Sequence, residues 1–403
     1  MTGIAFVGTG FVADYYITTL ANHPGLRLTG VYDRSPEQLR RFSGHYGIRA
    51  YPSLEEVLAD PGVAIVVNLT DPESHYAVSR AALEAGKHVY SEKPLAMRLE
   101  EAEALVELAA GRGLTIAGAP ANALSAAHAA VADALAADAI GAPRLIYAEM
   151  EDGPVFRQNW RGWRSLSGAP WPGEHEFEIG CTLEHAGYAL SWLLSLFGPV
   201  ESVTAFSALA FPDKGQNKAA RLGPDFSVGC LYFKSGAVAR LTSGLAAPRD
   251  RSLTILGEKG TITVRDLWDH DSHIRIEQLG RPRRLIERLA PRIEEWLGAV
   301  LPARPAPGRR LKVAGARPKN LPKFPSRIDF SGGIAVQAAA IAEGRAPFFS
   351  GNVELHVTEI ALALSAAGTE AGFYRMRSSF DFPATGQGPS RSSATPRRSQ
   401  RAA

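Results

Sequence analysis

Two cysteines in 403 residues, Cys181 and Cys230, form no C-x-x-C spacing and no framework of pairs. A disulfide-stapled scaffold and a cysteine-ligated zinc site are therefore unsupported, and two buried free thiols are expected. Long apolar runs are missing too. None reaches the ~18 residues of a membrane-spanning helix, and the chain enters a strand pattern at once, with no leader ahead of it, so a cytoplasmic protein is expected. Net charge is low at +3, yet residues 281–325 carry 12 Lys and Arg against 3 Glu, and residues 384–403 carry 4 Arg and no acid, leaving the rest at about −10. That balance argues against nucleic acid as a partner and confines the basicity to one insertion and one tail. With 45% hydrophobic and 21% charged residues the composition is that of a globular chain, long enough for two or three domains.

What is present begins at Ile4. The run Ile4-Ala5-Phe6-Val7 reads as a strand buried on both faces, and Gly8-Thr9-Gly10-Phe11-Val12-Ala13 follows it with G-x-G-x-x-A spacing. Gly8 permits a tight turn, Gly10 leaves room for a pyrophosphate against the backbone, and Ala13 lets the next helix pack closely. Phosphates would then meet the free N–H groups of a helix N-terminus, including those of Phe11 and Val12. Asp33 ends the next apolar run and follows Ala13 by 20 positions, where an acid accepting ribose hydroxyls is expected. The implied cofactor is NAD, because Asp33 repels a 2'-phosphate; Arg34 beside it keeps NADP possible.

Further along, Ser35-Pro36 and Ser53 with Glu56 open two helices, and Val63–Leu69 and His88–Ser91 are central parallel strands. The first ends in Thr70-Asp71-Pro72 with His75 beyond, the second in Glu92-Lys93-Pro94, at the edge where open sheets bind ligands. Five or six strands give a doubly wound (Rossmann) α/β domain over residues 1–121. Residues 122–382 switch to longer period-2 strands: 144–151, 200–210, 227–233, 237–243, 252–256 and 261–265. With helices over 180–197, 329–342 and 353–367, this predicts an α+β domain, an open antiparallel sheet covered by helices on one face. The insertion 281–325 lacks a strand pattern. Its Leu285, Ile286, Leu289, Ile293, Trp296 and Leu297 share one helical face, which suits either a cover on the sheet edge or an anionic membrane surface. Residues 383–403 have nothing to bury and are expected to be disordered.

These residues resemble the Gfo/Idh/MocA (glucose-fructose oxidoreductase and inositol dehydrogenase) family from Ile4 to about Phe382, most specifically at Val89-Tyr90-Ser91-Glu92-Lys93-Pro94-Leu95-Ala96. The resemblance implies a nicotinamide cofactor held by the first domain, with Thr70, His75, Glu92 and Lys93 at its site. It also implies a substrate pocket between the domains, homo-oligomeric assembly through the open sheet face, and oxidation or reduction of a ring hydroxyl of a sugar, sugar nucleotide or cyclitol. Where that family usually carries D-x-G-x-H, this chain has Glu184-His185-Ala186-Gly187-Tyr188. Glu184 and Tyr188 stand at i and i+4 and so face the same way. Lys93 would stabilise an alkoxide and lower the pKa of a neighbouring Tyr188 from ~10, making Tyr188 the acid/base, or His185 instead, with Glu184 orienting substrate or base.

Upstream, Arg157, Trp160, Arg161, Trp163 and Arg164 precede the proline-rich Gly168–Gly173, a set that suits either sugar and phosphate recognition or a small satellite core. Three functions compete. An NAD(P)-dependent oxidoreductase turns cofactor over, a redox-elimination enzyme cleaves a glycosidic bond with no net turnover, and a catalytically silent dinucleotide-binding sensor or scaffold binds cofactor without chemistry.

Overall fold

The computed structural model describes residues 1–119, 121–215, 221–280, 308–315, 317–323, 326–369 and 372–382. In β1 (Thr2–Val7) the run Ile4–Val7 is wholly buried, as a central parallel strand demands. Gly8 then turns at φ +97°, where a Cβ would stand 2.5 Å from the Leu69 carbonyl oxygen, so the turn tolerates only glycine. Buried Ala13 opens α1 (Ala13–Leu20). There follow β2 (Leu26–Tyr32), α2 (Pro36–Tyr46), α3 (Leu54–Ala59), β3 (Ile65–Asn68), α4 (His75–Glu84), β4 (His88–Ser91), α5 (Leu99–Gly111) and β5 (Ile116–Gly118). Ser35 caps α2 by accepting from the Gln38 amide, and Ser53 caps α3 by accepting from that of Glu56. All five strands are parallel, in the order β2-β1-β3-β4-β5. The strand order reverses at β1, which opens a crevice between the ends of β1 and β3.

The chain continues through α6 (Ala126–Ala136), β6 (Pro143–Glu151), α7 (Gly173–Ile179), α8 (Cys181–Phe197), β7 (Val200–Ala208), β8 (Phe226–Phe233), β9 (Val238–Gly244), β10 (Leu253–Gly257), β11 (Gly260–Val264), β12 (Ile274–Gln278), β13 (Arg309–Leu311), α9 (Gly332–Ala342), α10 (Asn352–Ala366) and β14 (Gly372–Arg375). Nine strands form the second sheet, ordered β13-β12-β11-β10-β6-β9-β8-β7-β14. Helices α8 and α10 pack on one face of it. On the other, Leu145, Tyr147, Tyr232 and Phe373 remain exposed. One continuous apolar core, running from Ile4 and Phe6 through Trp192 to Ile255 and Ile360, joins the two sheets.

The structure corrects several expectations. The second sheet is mixed, because β6 and β9 pair in parallel. Residues 309–311 of the insertion, expected to hold no strand, form β13 against β12, while the apolar helical face at 285–297 and the tail 383–403 lie outside the described residues. Helix α9, expected on the second sheet, docks on the first. Its Gln337 amide donates to the Val89 carbonyl oxygen, and Ser331, just ahead of it, bonds Thr19 and the Tyr16 carbonyl. Strands β12 and β14 and helices α6 and α7 had no reading in the sequence. The alanine-rich α6 has no polar stripe to mark a helical period, and α7 is seven residues long.

Candidate active site

A cavity of about 970 Å³ runs between the two domains along the C-terminal ends of the first sheet. From the first domain it is lined by Gly8, Gly10, Phe11, Val12, Asp33, Arg34, Thr70, His75, Glu92 and Lys93, and from the second by Asp152, Glu176, Glu184, His185 and Tyr188. Ala13 lies beneath the lining, fully buried.

The glycine-rich end fits a dinucleotide. A Cβ on Gly10 would meet nothing within 4 Å, so open space adjoins the backbone there. Among the described residues the amides of Gly10, Phe11 and Val12 donate to no acceptor, and Val12, at the start of α1, carries no side-chain cap. Free N–H groups at a helix N-terminus are what a pyrophosphate needs. Asp33 is fixed in place: Oδ2 accepts from the Thr9 amide at 2.7 Å and the Thr9 hydroxyl at 2.9 Å, and Oδ1 accepts from the Ser35 amide at 2.8 Å. Arg34 reaches Asp71 Oδ2 at 2.8 Å. Thr70 donates its hydroxyl to Asn68 Oδ1 at 2.7 Å. His75 is buried, with Nδ1 2.7 Å from the Pro94 carbonyl oxygen and Nε2 3.1 Å from that of Thr70. Burial holds its pKa below the ordinary value, and the neutral ring, with a single N–H, donates to only one of these two carbonyl oxygens in either tautomer.

At the other end, Lys93 Nζ lies 2.5 Å from Glu184 Oε2, with both side chains largely shielded from solvent. Glu92 sits behind, accepting from the Tyr16 hydroxyl at 2.7 Å and the Lys93 amide at 3.2 Å. Burial alone would lower the Lys93 pKa, but Glu184 and Glu92 outweigh it and raise it. Burial would raise Glu184, and Lys93 holds it down instead. Helix α8 is buried along almost its whole length; Glu184 and Tyr188 are among its few residues that emerge, one turn apart and toward the cavity.

This geometry corrects the expected electrostatics of Tyr188. Lys93 pairs with the carboxylate and not with the phenol. Burial, followed by Glu92 and Glu184, pushes the Tyr188 pKa well above its ordinary value. The ring packs 4.4 Å from Trp268, and its hydroxyl makes no hydrogen bond to the described residues. His185 Nε2 lies 3.3 Å from Asp152 Oδ2, and its Nδ1 is buried without a partner. Asp152 also accepts from Arg251 Nε at 2.7 Å; burial raises its pKa, but His185 and Arg251 together hold it well below the usual range.

Sequence reasoning missed Glu176, Asp152, Arg251 and Trp268, all cavity-lining. The Glu-rich stretch Glu174-His175-Glu176 was the available signal for the first; the others lie at strand ends with no motif around them. The aromatic loop is a satellite core. Trp160 packs with Val155, Phe177, Cys181 and Leu245, Arg161 lies over the Trp160 ring, and Arg164 donates to carbonyl oxygens of its own loop. Trp163 and Trp171 alone of these tryptophans line the cavity.

Two family descriptions match the chain: "Oxidoreductase family, NAD-binding Rossmann fold" over residues 2–118 and "GFO/IDH/MocA C-terminal domain" over residues 128–263. Among curated proteins, it is 33% identical to UDP-N-acetylglucosamine 3-dehydrogenase of Acidithiobacillus ferrooxidans, over 78% of this chain and 94% of that one. It is 32% identical to 1,5-anhydro-D-fructose reductase of Ensifer adhaerens, over 65% of this chain and 75% of that one. Among solved structures, the aldose-aldose oxidoreductase of Caulobacter crescentus shares the fold with a TM-score of 0.67 at 21% identity, covering 93% of this chain and 99% of that one.

Proposed function

The chain belongs to the Gfo/Idh/MocA family of NAD(P)-dependent oxidoreductases, and from that premise we propose that it oxidises or reduces a ring carbon of a sugar, sugar nucleotide or cyclitol. The observation that carries this reading is one cavity holding both the glycine cradle and the Lys93–Glu184 pair. Gly8, Gly10, Phe11 and Val12 would hold the pyrophosphate of a dinucleotide, whose nicotinamide would supply or accept the hydride. Lys93 holds a positive charge where the substrate oxygen gains negative charge, and Glu184 keeps the ammonium aimed and charged. Tyr188, one turn along α8, offers its unpartnered hydroxyl to a second substrate hydroxyl.

The relatives suggest the probes. Protein purified without added cofactor is analysed by mass spectrometry for a co-purifying dinucleotide. It is then assayed at nicotinamide absorbance with 1,5-anhydro-D-fructose, UDP-N-acetylglucosamine and myo-inositol. Turnover of at least one is expected, whereas tight cofactor binding with no turnover of any would favour a silent sensor.

The exposed face of the second sheet supports self-association. Tyr147 lies opposite Arg240, Tyr232 opposite Val238, and Phe373 opposite Thr204, so these rings share the face that no helix of the described residues covers. A second copy of the chain is the occupant we assign to it. Sedimentation equilibrium should show a dimer or larger that Tyr232→Asp dissociates, and a monomeric wild type would contradict the assignment.

A further inference from the structure

We propose that Glu176 of α7 is a catalytic residue of the same reaction, giving a proton to the substrate carbonyl oxygen during reduction and taking it back during oxidation. This rests on the oxidoreductase reading above. Glu176 lines the cavity that holds Lys93 and Glu184. Its backbone is pinned on both sides, the amide donating to the Pro172 carbonyl at 2.9 Å and the carbonyl accepting from the Gly180 amide at 2.9 Å. The Trp171 indole lies beside its carboxyl and favours its charged form, and Trp171 is itself wedged edge-on against Trp160 and Phe177. The carboxyl is thus held in place by the satellite core behind it.

The groups around it decide its charge. Glu184 faces it from α8, Lys93 from the end of β4, Asp152 from the end of β6 and Tyr15 from α1. Lys93 is already bound to Glu184 at 2.5 Å. A further carboxylate in a shielded site beside Glu184 is costly, so burial and then Glu184 hold the Glu176 pKa well above the usual carboxyl range, only partly offset by Lys93 and Trp171. A carboxyl raised from 4.5 moves toward neutrality, whereas the Tyr188 phenol, raised from 10.0, moves away from it. His185 turns its Nε2 to Asp152. Deprotonating Lys93 would strip the cation from Glu184 and Glu92. Glu176, fixed in the same cavity as Lys93 and Glu184 and with its carboxyl raised, is therefore the group here best placed to exchange a proton with the substrate.

In reduction, a hydride adds to the carbonyl carbon, the C=O π electrons move to oxygen, and that oxygen takes the Glu176 proton to become a hydroxyl. The two electrons arrive with the hydride, which bound NADH would supply, and Glu176, left as a carboxylate, regains a proton from solvent.

The test has two arms on the NADH-loaded full chain. In the first, infrared pH titration of wild type minus Glu176→Gln reads the acid C=O stretch of this one side chain. We expect a protonated carboxyl at neutral pH, titrating above the ordinary carboxyl range, and still present in Tyr188→Phe. A difference spectrum showing only carboxylate at neutral pH overturns the proposal. In the second, with any substrate of the panel that turns over, Glu176→Gln should lower kcat by about 10²–10⁴-fold with KM nearly unchanged, and should remove the fall in reduction rate as pH rises through the Glu176 pKa. Near-normal kcat in Glu176→Gln, or a loss of that size in Tyr188→Phe instead, overturns it. Failure of the whole panel would count against the oxidoreductase reading, while the infrared arm still decides whether Glu176 holds the proton.

Discussion

Asp33 commits both carboxylate oxygens to Thr9 and Ser35, so the charge stays fixed at the ribose position, with Oδ2 fully used by Thr9 and Oδ1 keeping one lone pair for a ribose hydroxyl. The nearby cation that could welcome a 2'-phosphate, Arg34, is neutralised by Asp71. NADH should therefore bind more tightly than NADPH, and Asp33→Ala should narrow the gap by roughly tenfold, about 1.4 kcal/mol, in a fluorescence titration. Tighter NADPH binding by the wild type would contradict this. The place of Asp33 was legible from its distance to Ala13, and the i, i+4 spacing placed Glu184 and Tyr188 on one side of α8. The partner of Lys93 was not legible, because both side chains lie in the same cavity. The carboxylate wins because an ammonium gains more from an ion than from a neutral phenol.

At the scale of elements, the segment between β6 and α8 matters most. It leaves the second domain, reaches α1 of the first, and returns as α7 carrying Glu176. Its tip is latched where the Ser167 amide and hydroxyl each donate to Asp14 at 2.8 Å, with Asp14 buried and also bound by Tyr46. Trp163, Pro170 and Trp171 of the same segment line the cavity. Ser167→Ala removes one charge-assisted bond, worth about 1.5–3 kcal/mol, and should speed NADH release several-fold in a stopped-flow chase. An unchanged off-rate would show that the latch does not cover the cofactor. Composition hid this arrangement. Tryptophans and arginines in a loop look alike whether they meet a ligand or each other, and only burial of Trp160 and Phe177 separates the two. The strands of the first sheet, by contrast, declared themselves as apolar runs and most of those of the second through period-2 alternation, except the short β12, β13 and β14, which offer too few residues for a period.

Across the whole molecule, the two sheets meet around Glu354 of α10, buried beside Gly118 of β5, Lys93 and Pro94. Burial pushes its carboxyl up to about 8. A carboxyl raised in the folded state adds stability that is complete below its unfolded value and is lost as pH rises through the folded one, here between about 4.3 and about 8. Glu354→Gln should abolish that loss, so its advantage in Tm over wild type should be larger at about pH 9 than at about pH 5.5. An advantage independent of pH would place the proton elsewhere. The central claim, hydride transfer in the cavity under the Lys93–Glu184 pair, is tested most directly by following deuterium from deuterated NADH onto the panel substrates. Deuterium should appear on a ring carbon of at least one product with wild type. With Lys93→Met the transfer should fall by about a hundredfold or more, while NADH binding measured in the same samples changes little. Transfer at the wild-type rate in Lys93→Met, or none in a wild type that binds NADH, would contradict the account.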